Sequence, residues 1–199
     1  MYFTMVTLAC FLLALAARRP LVRLLDLRFR LVGVLWAAIA IRLLFVPGAI
    51  YPMLSSHPFP GLPPLGGLLY VLSLLMVVIF AWFNRRILGI SVIGLGLMLN
   101  ALVIGANGGQ MPVDPKEAAA AGQLQALVEP EGRGEWSTFA LMRPDTPLSL
   151  LGDRISVPMP FKEPSILSVG DFVITVGIFL FFFFVPGMER WRVPEARGA

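Results

Sequence analysis

The sequence predicts an all-α membrane protein of five transmembrane helices, with one long extracytoplasmic loop between the fourth and the fifth. Three observations carry this. The chain of 199 residues is 57% apolar and only 14% charged, with a mean hydropathy of +0.81, where a soluble domain is about half apolar and a quarter charged. Its apolar residues fall into five runs, at 1–17, 31–47, 65–83, 87–106 and 168–185. Each is close to the ~20 residues that cross a ~30 Å hydrocarbon core. Finally, the basic residues flank alternate runs, as expected of topology signals. The net charge of +4 is therefore read as orientation and gives no reason to expect a nucleic-acid partner.

The first run is uncharged and followed at once by Arg18 and Arg19. A cleavable signal peptide places its positive charge before the apolar segment, so residues 1–17 are read as a helix with its N-terminus outside. Residues 20–30 (PLVRLLDLRFR) set Arg19, Arg23, Asp26 and Arg30 against Leu21, Leu24, Leu25 and Phe29. This reads either as an amphipathic interfacial helix, basic face toward anionic headgroups, or as a charged cytoplasmic turn. The second run breaks at Pro47-Gly48, and the loop to residue 64 carries His57 but no Lys, Arg, Asp or Glu. Asn84-Arg85-Arg86 is a basic turn on the inner side.

The fourth run leads into the stretch on which the functional reading rests, N-A-L-V-I-G-A-N-G-G-Q-M-P-V at residues 100–113. An apolar helix there carries two asparagines and stops at Gly108-Gly109. The outer loop occupies residues 107–167, and its 55 residues from 113 onward are too many for a passive connection. Asp114-Pro115-Lys116-Glu117 reads as a helix start, with Asp as N-cap and Pro in the first position. That helix is expected to run to about Val128, before an acidic turn at 129–135 and an irregular or short-stranded stretch at 136–160. The basic loops and C-terminal tail, set against the acidic outer loop, place the C-terminus in the cytoplasm of a multi-pass membrane protein.

Polar residues inside the runs need a reason, because a charge at a helix centre costs ~2.5–3.5 kcal/mol on insertion scales. Gly89, Gly96, Asn100 and Asn107 are separated by 7, 4 and 7 positions, which places them within ~40° on a helix of ~100° per residue. Such a stripe is either a packing seam or a binding surface. Arg42 either snorkels to the outer interface or turns inward toward Asp171, with Asn100 at similar depth. Ser168-Val169-Gly170-Asp171 fits a capping box, so Asp171 is a cap, an ion-pair partner, or both. Gly108 and Gly109 are either a helix C-cap or a backbone N–H nest for an anion. The candidate ligand site is accordingly Arg42, Asn100, Asn107, Gly108, Gly109 and Asp171.

Cys10 is the only cysteine, which excludes an intrachain disulfide and a cysteine metal cluster. No cofactor, metal site or catalytic residue is expected.

The elements N-x-x-x-x-x-x-N-G-G-Q-M-P (100–112), L-G-D-R-I-x-V-P (151–158) and S-V-G-D (168–171) together resemble an uncharacterised family of small bacterial integral membrane proteins, a domain of unknown function. The resemblance implies the same architecture and singles out Asn100, Asn107, Gly108, Gly109, Asp153 and Asp171, without assigning them roles. Three functions fit these features. One is binding or transport of a lipid headgroup or other anionic amphiphile, with membrane lipids as partners. Another is an accessory subunit, with a membrane-protein partner or a second copy of the chain. The third is an intramembrane enzyme built on the two x-x-G-D elements, which would require Asp153 and Asp171 to share a proton. The outer-loop position of Asp153 speaks against that.

Overall fold

A computed structural model describes residues 2–44, 51–55, 63–133, 135–160 and 162–187. Three helices are long and apolar enough to cross a membrane: α3 (Leu65–Phe83), α4 (Leu88–Ala106), and α7 (Val169–Phe184) with the 3-10 turn Val185–Gly187 that continues it. Each of these spans has 19 residues and a mean hydropathy of 2.2 or more, and 19 residues rise ~28 Å as an α-helix. Two further apolar helices are shorter, α1 (Tyr2–Ala16, 15 residues) and α2 (Val32–Leu43, 12 residues). At 1.5 Å per residue they reach only ~22 and ~18 Å. The protein is thus a mostly helical, multi-pass membrane chain, and the end of the expected second span lies outside the described residues, as do the Pro47-Gly48 break, His57 and the basic C-terminal tail.

Side by side, the helices run α2, α3, α4, α7, α1, with α4 against α7 the most extensive contact. Small residues explain that closeness. A methyl group at Gly89 would overlap the backbone of Phe181, one at Gly96 the carbonyl of Gly170, and one at Gly177 the backbone of Ile93. Without a hydrophobic drive between helices in lipid, such backbone approach is a main source of association through dispersion contacts. Gly89 and Gly96 do form the seam that their spacing predicts, and Gly170 and Gly177 answer them at the same seven-residue interval on α7.

The basic turns gather at the opposite end from residues 107–167. Asn84 is buried and closes them together: its Nδ2 donates to the Arg30 and Phe80 carbonyls at 2.9 and 2.8 Å, and its Oδ1 accepts from the Arg30 N–H at 2.8 Å. Arg23 donates to the Pro186 carbonyl at 3.3 Å. Residues 20–30 are not an amphipathic α-helix. They form the 3-10 turn Leu21–Asp26, and its three-residue repeat puts Val22 and Leu25 together in the open, 70% and 83% exposed.

Residues 107–167 correct the all-α expectation. β1 (Met111–Val113) pairs in parallel with β2 (Phe139–Leu141), and β3 (Ile155–Met159) pairs antiparallel with β4 (Lys162–Leu167). The helix expected to run to Val128 is two helices, α5 (Pro115–Ala120) and α6 (Leu124–Gly132). Asp114 caps α5 as expected, accepting from the Lys116 N–H at 2.9 Å, but Gly122 at φ +72° turns the chain out of it. α6 then runs through part of the expected acidic turn. These strands are three to six residues long, so their alternation is too brief to register against a helical background.

The seam gives a direct test. Gly170→Ala would drive a methyl group into the Asn100 side chain and the Gly96 carbonyl, whereas Gly105→Ala meets nothing within 4 Å. Thermal unfolding in detergent should show Gly170→Ala destabilised by ~1–3 kcal/mol or more and Gly105→Ala unchanged or slightly stabilised.

Candidate functional site

Where α4 meets the N-terminus of α7, a closed set of hydrogen bonds joins three side chains. Asn100, 8% exposed, donates through Nδ2 to Asp171 Oδ1 at 2.9 Å. The buried Ser168 hydroxyl donates to Asn100 Oδ1 at 2.9 Å. Ser168 and Asp171 complete a capping box, the Asp171 N–H donating to Ser168 Oγ at 3.0 Å and the Ser168 N–H to Asp171 Oδ2 at 3.1 Å. Asp171 is therefore both a cap and an interhelical partner, and the partner is Asn100. One turn on, Thr175 donates to the Asp171 carbonyl at 2.9 Å, which leaves its oxygen to accept from Tyr2 Oη at 3.0 Å. This ties α1 to the same end of α7.

Asn100 and Asp171 line a cavity of about 320 Å³ together with Tyr2, Arg42, Tyr70 and Asp153. Leu74, Leu97, Ile104 and Ile174 form an apolar wall. Arg42 lies over the Tyr70 ring, its guanidinium carbon 4.1 Å from the centroid, a cation–π contact that strengthens when desolvated. Among the described residues no carboxylate pairs with Arg42, so the ion pair with Asp171, one of the two readings of Arg42, is not formed there. The two face one cavity instead, Arg42 held by Tyr70 and Asp171 by Asn100 and Ser168.

Asp153 arrives from the segment between α4 and α7. Its N–H donates to the Pro112 carbonyl and its carbonyl accepts from the Asp114 N–H, both at 2.9 Å. It thus forms a bridge on Val113, beside the strand that follows the Gly-Gly break. Behind it Arg154 pairs with Asp114 at 3.6 Å. The Asp153 side chain is 5% exposed, and its buried Oδ1 has no hydrogen-bond partner among the described residues. Burial, and secondly the Asp171 carboxylate, push its pKa up to about 8. Loop position had argued against a shared environment for the two aspartates, but backbone pairing overrides it. The L-G-D-R-I-x-V-P element was the signal for Asp153. Nothing in its spacing tells that Val113 would hold it.

The remaining residues singled out by sequence lie apart. Asn107 leaves helical geometry at φ −113°, ψ 37°, so its side chain departs from the Gly89–Gly96–Asn100 stripe. It donates to the Val103 and Pro147 carbonyls at 2.7 and 3.0 Å and lines a second cavity of about 360 Å³ beside Gln110 and Trp136. Gly108 and Gly109, at φ +65° and +86°, end α4, and the Gly109 N–H donates back to the Ile104 carbonyl at 2.9 Å. That is the long bond of a Schellman cap, and it withdraws this N–H from any anion nest. Both glycines also sit hard against Gly67 of α3.

These features define a class: a multi-pass membrane helix bundle with a polar cavity at one end, lined in part by a small mixed α/β segment. The chain belongs to the family of unknown function DUF5317, whose model matches residues 26–183. It is similar to an uncharacterised protein of the bacterium Thermotoga maritima, 31% identical over 131 residues, which cover 64% of this chain and 71% of that one. No solved structure matches the chain.

Asp153 makes a pH test. With an unfolded value near 3.8 and a folded value of about 8, the folded state binds the extra proton between those limits. Stability should therefore fall as pH rises from about 4 to about 8 and level off above. Unfolding midpoints of the wild type and Asp153→Asn from pH 5 to 8.5 check this. The variant should gain on the wild type steadily with pH.

Proposed function

We propose that this protein binds a lipid headgroup or another anionic amphiphile in the cavity that Arg42, Tyr70, Asn100, Asp153 and Asp171 line. The observation that carries the reading is the joining of a guanidinium with no carboxylate partner among the described residues, and several hydrogen-bonding groups, to an apolar wall in one 320 Å³ space. A phosphate or carboxylate suits Arg42, and the wall of Leu74, Leu97, Ile104 and Ile174 suits the first carbons of a chain. The cavity lies at the α4 C-terminus and the α7 N-terminus, where the acidic 107–167 segment begins and ends. Arg23, Arg30 and Arg85 lie at the other end of the helices. By the positive-inside rule this supports a cell-membrane protein with the N-terminus and the cavity outside and the C-terminus in the cytoplasm. The site then sits in the outer third of the bundle, with residues 107–167 as its cover.

Two measurements test the reading. Purified protein should show an unfolding midpoint raised by short-chain phospholipids; Arg42→Ala should abolish that shift, and Asn107→Ala, outside the cavity, should keep it. Equal shifts in wild type and Arg42→Ala would rule the site out. For orientation, a cysteine in place of Lys116, in a Cys10→Ala background, should react with a membrane-impermeant maleimide on intact cells. One in place of Arg86 should react only after lysis.

A further inference from the structure

The charges in the cavity say more about the headgroup than its size does. Two carboxyl groups, Asp153 and Asp171, face a space that offers one guanidinium. That guanidinium rests on Tyr70 and pairs with neither acid. The Asp171 oxygens are each engaged, by Asn100 and by the Ser168 N–H. Asp153 Oδ1 is buried with no partner among the described residues, a condition that costs the full desolvation of the atom. A purely anionic headgroup would satisfy Arg42 but bring no cation to Asp153, whose carboxyl burial keeps protonated near neutral pH. A headgroup bearing both a phosphate and an ammonium would satisfy both, the phosphate at Arg42 and the N–H donors at Asp153 Oδ1.

Resting on the lipid-binding reading above, we infer that the cavity selects a zwitterionic phosphate ester of a primary amine, with Arg42 holding the phosphate and Asp153 receiving the ammonium. The primary amine matters because Asp153 Oδ1 needs a hydrogen-bond donor, which a quaternary ammonium lacks. Arg42 and Asp153 then each face an opposite charge, the condition under which burial of ions is tolerated, and Asp171 keeps its hydrogen bonds to Asn100 and the Ser168 N–H. Such an ester is presented by a phospholipid or in soluble form as glycerophosphoethanolamine.

The test is a titration of the full-length protein in detergent, by calorimetry, with matched short-chain phosphatidylethanolamine, phosphatidylcholine and phosphatidylglycerol, and with glycerophosphoethanolamine. The wild type should bind the ethanolamine lipid about tenfold or more tighter than the choline and glycerol lipids. In Asp153→Asn that ratio should fall to about one. Should that variant not fold, the order of the three lipids on the wild type still decides. Glycerol lipid bound as tightly as ethanolamine lipid, or better, overturns the inference while leaving the lipid-binding reading intact. Absence of binding by any of the three lipids, with the soluble ester inert too, overturns the reading itself. Soluble ester bound as tightly as the ethanolamine lipid keeps the headgroup assignment and makes the soluble ester the ligand.

Discussion

The close approach of α4 and α7 is the constraint on which the rest depends. Gly89, Gly96, Gly170 and Gly177 bring the two backbones together, and only at that distance does the Asn100 amide span from Asp171 to Ser168. The dependence runs both ways. A methyl group at Gly170 would occupy the place of Asn100 Oδ1, so the polar set and the glycine seam are one device. Interhelical hydrogen bonds in membranes average only ~0.6 kcal/mol. Their value here is geometric more than energetic: they fix the α7 N-terminus and hold Asp171 facing the cavity.

The second constraint is the short path from the end of α4 to β1. Gly108 and Gly109 reverse the chain with positive φ, contact Gly67, and hand it to Met111–Val113. That strand accepts β2 on one side and Asp153 on the other. One turn therefore anchors the segment, and through it a buried aspartate reaches a cavity that helix residues line together with Met111, Phe139 and Ser165. The β3–β4 hairpin then returns the chain directly to Ser168. The segment between α4 and α7 is bound to the bundle at both its ends, where a passive linker would be free.

Charge placement separates the two ends of the molecule. At one end Asn84 clasps Arg30, and arginines rest on Phe83, Trp82 and Phe183, an arrangement suited to an interface where aromatic rings and guanidinium groups share polar and apolar surroundings. At the other end, among the described residues, Arg42, Asp153 and Asp171 line one cavity. The first pattern orients a protein in a membrane. The second holds a buried carboxyl oxygen, Asp153 Oδ1, with no hydrogen-bond partner among the described residues, a condition that costs desolvation free energy.

By itself the sequence determined the apolar helices, the Gly89–Gly96–Asn100 seam, the Asp114 and Ser168 caps and the family, because each is a local or periodic property of the chain. Composition set the membrane class, and angular spacing alone set which face of α4 packs. The tertiary structure decided what those residues do to one another. Whether Asp171 would meet Arg42 or Asn100 depended on how closely two helices approach. The Asn107 side chain left its stripe because the helix ended beneath it, where a fixed ~100° step no longer applies. Asp153 joined the cavity through parallel backbone pairing across some 40 residues of sequence, and such pairing is specified by main-chain hydrogen bonds that every residue can make, so no side-chain pattern announces it.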